Sequence, residues 1–130
     1  MSSRSAEVEQ PKPRTVVHKF GGTSVADAER YRHVAKLLLA RDEEVQVTVV
    51  SAMKGVTDAL IELCGLASRS RGEWRDKWHE LRARHRGAVV SLLGESSGPR
   101  LEWLDERFDK LAEILAALAV IGELPSEVLD

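Results

Sequence analysis

Two short stretches hold the residues whose types and spacing could do chemistry. The first is Lys19-Phe20-Gly21-Gly22-Thr23-Ser24-Val25-Ala26, and the second is Ser51-Ala52-Met53-Lys54-Gly55-Val56-Thr57. The first offers an ammonium group, two glycines that let the backbone approach a ligand, and two hydroxyls. A helix starting directly after it would add unpaired N–H groups and a positive partial charge, which completes the parts of a phosphate site. The second stretch, with Ser51, Lys54, Gly55 and Thr57, is richer in hydroxyls and suits a small polar co-substrate. Neither is a standard nucleotide signature, since G-x-x-x-x-G-K-[ST] and G-x-G-x-x-G are both absent. A Gly-Gly turn between strand and helix also occurs without any ligand, and a strand-end lysine is often only a solvated charge.

The elements that must position these residues can be read from periodicity. Thr15-Val16-Val17-His18 is a short β-branched run, which predicts a strand over about residues 15–20. Apolar residues then recur at Val25, Ala28, Tyr31, Ala35, Leu38 and Leu39, predicting a helix over about 23–40 capped by Thr23 or Ser24. Val45-Gln46-Val47-Thr48-Val49-Val50 predicts a second strand. Strand, helix, strand implies a right-handed βαβ unit with parallel strands. Ligands of parallel sheets sit beyond the carboxyl ends of the strands, so the two turns should line one crevice.

Three more helices are expected, over about 56–68, 73–93 and 100–121, with a basic break at Ser68–Gly72 and a loop at Gly94–Pro99. Trp74, Trp78, Leu81, His85, Val89 and Leu92 form one stripe. Leu101, Leu104, Phe108, Leu111, Leu115 and Leu118 form another, too short for a coiled coil and suited to packing in a bundle or against the sheet. Pro125-Ser126 looks like the start of a further helix.

Composition narrows the class. A chain of 130 residues is long enough for one domain. With 19 basic and 21 acidic residues and a net charge of −2, nothing favours nucleic acid or an anionic membrane as partner. The lone Cys64 cannot form an internal disulfide and fits a reducing cytoplasm. No apolar run approaches the roughly 18 residues of a membrane span. Residues 1–14 are polar and read as a flexible leader without the apolar core of a signal peptide. Trp74, Trp78 and Trp103 are expected in core or interface packing, and Arg82, Arg84 and Arg86 on a solvated surface. His18 is expected to be a packed strand residue rather than a base, and His79 and His85 lack the companions of a metal site. Two strands do not make a stable parallel sheet. The chain is therefore expected to be the N-terminal part of a larger α/β domain.

Lys19–Ala26 resembles the opening signature of the aspartate kinases, and Val49–Thr57 resembles their second segment, the strand and turn that holds the amino acid. The resemblance implies an α/β amino-acid kinase (carbamate kinase-like) fold, here a parallel βαβ unit followed by helices. Residues 15–130 would be a partial catalytic domain, truncated at its C-terminus. The implied reaction is L-aspartate plus ATP giving 4-phospho-L-aspartate plus ADP, with Mg2+, the first step toward lysine, threonine, methionine and isoleucine. By position, Lys19 would contact the transferring phosphoryl group. Gly21 and Gly22 would give N–H donors to the phosphates, assisted by Thr23 or Ser24, and Ser51 and Thr57 would bind aspartate. A cytoplasmic homo-oligomer is implied, and many members are fused to homoserine dehydrogenase. The family's later Gly-Glu motif and its Gly-rich segment with arginine and aspartate have no match here, and Glu123 sits before the helix that should carry such a glutamate. The segment alone is therefore expected to be inactive. The competing expectation is a non-catalytic interaction module built on the helices over 73–121, with the two turns as relics.

Overall fold

β-Branched runs with short, regular alternation produce the sheet. β1 (Thr15–Phe20) and β2 (Val45–Val50) pair in parallel, from Thr15 opposite Val45 to Phe20 opposite Val50. The Val45 amide donates to the Arg14 carbonyl, 3.1 Å, which carries the ladder one residue further back. The computed structural model describes residues 11–69 and 72–122. Most of the expected leader, and the helix expected at Pro125, lie outside the described residues.

Strand alternation divides the sheet into two unlike faces. Val16, His18 and Phe20 are half-buried on the face that α1 (Ala28–Leu39) covers, where Gln46 Nε2 donates to the Leu38 carbonyl at 3.2 Å. His18 stacks on Phe20 with ring centroids 6.1 Å apart, as expected of a packed strand residue, and its Nε2 is buried without a hydrogen-bond partner among the described residues. On the other face Val17 is 66% exposed, and Val45, Val47 and Val49 are exposed beside it.

The first helix starts later than its apolar spacing predicts. Ser24 N–H bonds to the Gly21 carbonyl at 3.0 Å, so residues 21–24 close a turn of their own. Asp27, not Thr23 or Ser24, is the cap: it is extended (φ −151°, ψ 178°) and its carboxylate accepts from Arg30 N–H at 2.9 Å. Val25 is fully buried in the connecting segment, which explains why it joined the apolar pattern without being helical.

α2 (Val56–Arg69), α3 (Trp74–Leu93) and α4 (Gly98–Ile121) form a bundle in which each helix packs on the other two. Leu63, Ala67 and Leu115 are wholly buried at its centre. Trp78 also lies in this core, where its Nε1 donates to the Phe108 carbonyl at 3.0 Å. Trp103 stands apart from this core, and one expectation, the loop over 94–99, fails. Trp103 is 51% exposed, with the Arg107 guanidinium 4.6 Å above its ring. Its position steps off the stripe of Leu104, Phe108 and Leu115. The segment over 94–99 is not an open loop. Gly94–Ser97 is a 3-10 turn and α4 begins at Gly98, because Ser97 Oγ closes on the Gly94 carbonyl at 2.6 Å and Pro99 suits the first turn of a helix.

Of the alternating arginines, Arg84 is exposed, but Arg82 and Arg86 are not simply solvated. Arg82 and Arg86 both bind Asp105 across the α3–α4 contact, Arg82 Nη2 at 2.9 Å. Arg32 on α1 binds Ser91 on α3, with Nη2 to Oγ at 2.9 Å. No helix among the described residues is long and apolar enough to cross a membrane.

Two outcomes follow from this packing. The open valine face and unpaired strand edges should drive the 130-residue chain to self-associate. A monodisperse monomer with cooperative unfolding in analytical ultracentrifugation and denaturant melts would contradict that. The hydrogen bond from Arg86, then the charges of Arg82 and Arg86, hold the Asp105 carboxyl below its ordinary value of 3.8. A depressed carboxylate stabilises the fold above its unfolded pKa, and the benefit is lost as pH falls through the folded value. Asp105→Asn should therefore flatten the acid limb of a stability–pH profile below about pH 4.

Candidate functional site

Parallel pairing sets the carboxyl ends of β1 and β2 side by side, and the Ser51 amide continues the ladder by donating to the Phe20 carbonyl at 3.0 Å. The chain then leaves each strand in a tight turn. In the first, Ser24 N–H closes on Gly21. In the second, Val56 N–H closes on the Met53 carbonyl at 3.1 Å, with Gly55 at φ +83° in the position that favours glycine. α2 begins immediately afterwards, and Ala59 N–H bonds to the Gly55 carbonyl at 3.0 Å. Met53 and Val56 belong to the bundle core, so the second turn is anchored from below by apolar burial.

A cleft of about 230 Å³ lies between the turns, lined by Gly22, Thr23, Ser51, Lys54, Gly55, Thr57 and Asp58 together with Ala52 and Met53. The residues expected to act on two ligands, Gly22 and Thr23 from one turn and Ser51 and Thr57 from the other, thus share one space. Lys19, Gly21 and Ser24 do not line it. Lys19 is exposed on the open face of the sheet, because strand alternation puts it opposite Phe20. Lys54 also lines the cleft. Asp58 was missed by sequence reasoning, although it follows Thr57 directly in the first turn of α2.

The two glycines of the first turn differ. A Cβ on Gly22 would stand 3.2 Å from the Ala52 carbonyl oxygen, backbone against backbone, whereas a Cβ on Gly21 would meet nothing within 4 Å. Gly22 is thus where the two turns approach each other. The expected helix end is not part of this site. α1 starts only at Ala28 and is capped by the Asp27 carboxylate at Arg30 N–H, so N–H donors for an anion near Gly22 must come from the turn backbone or from the start of α2.

The larger apolar cleft of about 290 Å³ between α3 and α4, lined by Val89, Leu92, Leu93, Trp103 and Leu104 with Arg100, lacks convergent polar groups and is a poor place for a reaction. Among the described residues no group of three or more His, Cys, Asp or Glu could hold a metal ion.

Comparison with known proteins adds a lineage. The model of the "Amino acid kinase family" matches residues 14–126. The chain is 32% identical to "Bifunctional aspartokinase/homoserine dehydrogenase 1, chloroplastic" of Arabidopsis thaliana over 88% of its own length and 13% of that protein's. It is 34% identical to an "Aspartokinase" of Chlamydia trachomatis over 88% of its length and 26% of the relative's. With "Aspartokinase 1, chloroplastic" of Arabidopsis thaliana it shares 35% identity over 89% of its length and 20% of that protein's. The chain therefore spans about a quarter or less of the curated relatives it matches.

The turn geometry makes a direct prediction. Gly22→Ala requires the Ala52 backbone to give by a few tenths of an ångström and should leave the chain about 1 kcal/mol less stable than Gly21→Ala does. Gly21→Ala should stay within about 0.5 kcal/mol of the parent, as surface substitutions usually do. Denaturant unfolding of the matched pair measures the difference.

Proposed function

From the premise that the chain belongs to the amino acid kinase family, we propose that it supplies two ligand turns of an aspartate kinase, which transfers the γ-phosphoryl group of ATP to the side-chain carboxylate of L-aspartate. The observation that carries this reading is the meeting of both motif turns in one cleft at the carboxyl ends of paired parallel strands. Phosphoryl transfer asks a protein mainly for positioning and for positive charge and N–H donors around the transferring group. The donor set fits that demand. Gly22 allows close backbone approach, and Thr23 offers a hydroxyl and an N–H to phosphate oxygens. Ser51 and Thr57 offer hydroxyls to the carboxylate and ammonium of an amino acid. Lys19 stands at the carboxyl end of β1, one strand from Ser51, and offsets growing negative charge on the phosphoryl group; Gly21 and Ser24 support the phosphate side from the turn backbone.

Magnesium bound with a nucleotide is held largely by phosphate oxygens and water and needs only one or two carboxylates. It would add positive charge at the phosphates, and no residue here is assigned as its ligand.

The same reading includes a larger α/β domain whose remaining elements cover the valine face, an assembly of more than one copy, and a cytoplasmic setting suited to a lone thiol. Membership of the pathway to lysine, threonine, methionine and isoleucine belongs to it as well, and a fused homoserine dehydrogenase is compatible with it. The alternative, a non-catalytic helical module, is less favoured. It leaves unexplained why four residues expected to bind ligands, from two distant segments, line one cleft.

In the complete enzyme that this proposal requires, Lys19→Ala should lower aspartate-dependent ADP formation about 10²–10³-fold, the scale for removing one electrostatic contact to a transition state. Unchanged turnover, or no aspartate-dependent turnover in the parent enzyme, would refute the reading. The 130-residue chain alone should show none.

A further inference from the structure

Arg84 belongs to neither motif, yet it joins them. It lies on α3, 58 residues from Ala26 and 30 from Lys54 in sequence. Its Nη2 donates to the Ala26 carbonyl at 3.0 Å and to the Lys54 carbonyl at 2.8 Å. A terminal guanidinium nitrogen carries two hydrogens, so one atom serves both acceptors. Each carbonyl marks a place where the chain is turning. Ala26 ends the segment between the first turn and the Asp27 cap, and Lys54 sits inside the second turn.

The parallel ladder, ending in the Ser51 N–H bond to the Phe20 carbonyl at 3.0 Å, fixes where the two turns start, but beyond it no backbone hydrogen bond among the described residues joins one turn to the other. Each is closed by its own short hydrogen bond, and their close approach at Gly22 is a contact that limits nearness without holding them together. α3 is the natural reference, because it is fixed to the bundle by Trp74, Trp78 and Leu81 and to α1 by Arg32 and Ser91. A charged donor to neutral carbonyls makes a stronger bond than an amide does. Arg84 is exposed, so its two bonds contribute little to global stability and act on the local geometry of the turns.

We propose that Arg84 is a positioning residue for phosphoryl transfer, holding the turn after β1 and the turn after β2 at a fixed separation. The inference rests on the aspartate kinase reading, in which the phosphate donor is held by one turn and the carboxylate acceptor by the other. Arg84 does not line the cleft itself. It sets the distance and angle between the two ligands. In-line transfer depends steeply on that geometry, while binding of either ligand to its own turn does not.

The test has two arms. In the 130-residue chain, Arg84→Ala should speed amide hydrogen exchange at residues 21–26 and 53–57 while protection in α2, α3 and α4 is unchanged. Unchanged exchange in both turns would overturn the proposal. In the complete enzyme, Arg84→Ala should lower kcat about tenfold to hundredfold while KM for ATP and for aspartate moves less than about threefold. The thermal midpoint should stay in place, added guanidinium ion should restore part of the rate, and Arg84→Lys should retain part of it. A joint loss of thermal stability and of both KM values, with no rescue, would mean an ordinary structural tie and would overturn the positioning role. Faster turn exchange together with an inactive parent enzyme would overturn the kinase reading, and the role in transfer with it, while upholding the clamp.

Discussion

Parallel pairing of β1 with β2 is the constraint on which the rest depends. Because the strands run the same way in register, both leave the sheet at the same end, and residues some thirty apart in sequence come to share a cleft. An antiparallel pair would have sent the two turns to opposite ends of the sheet. The crossover that parallel strands require is α1, which also covers the face carrying Val16, His18 and Phe20.

That pairing is not self-supporting. A two-stranded sheet is marginal in water, and here one face presents four exposed valines. Stability resides instead in the bundle, where fully burying a side chain such as Leu63 or Leu115 is worth about 1.5–3 kcal/mol. The second turn draws on this reserve directly through Met53 and Val56. The first turn has less apolar support, chiefly the buried Val25, and depends on polar ties to α3.

Polar contacts between distant elements account for most of what the sequence did not reveal. Arg82, Arg84 and Arg86 look alike as an alternating charged run. In the fold, Arg82 and Arg86 converge on Asp105, while Arg84 reaches the opposite way to two backbone carbonyls. Nothing local distinguishes them, since their partners lie 19 to 58 residues away. The late start of α1 has a similar origin. Val25 fits an apolar helical period, but it is buried in a connecting segment, and Thr23 and Ser24 belong to a closed turn, which leaves the cap to Asp27.

The sequence by itself determined the elements and the chemistry available. β-Branched runs placed both strands to the residue, the stripe through Leu104, Phe108 and Leu115 picked out the buried side of α4, and two small-residue turns named the hydroxyls and glycines of the cleft. These are local properties, set by steric preference and by the period of apolar residues. Only the tertiary structure decided which of those groups face one another. It put Gly22, Thr23, Ser51 and Thr57 around one space, left Lys19 on the open face, and brought Asp58 to the cleft and Arg84 to the Lys54 carbonyl beside it. Such choices depend on strand direction, pleat and the reach of side chains across the fold, and no single window of sequence contains them.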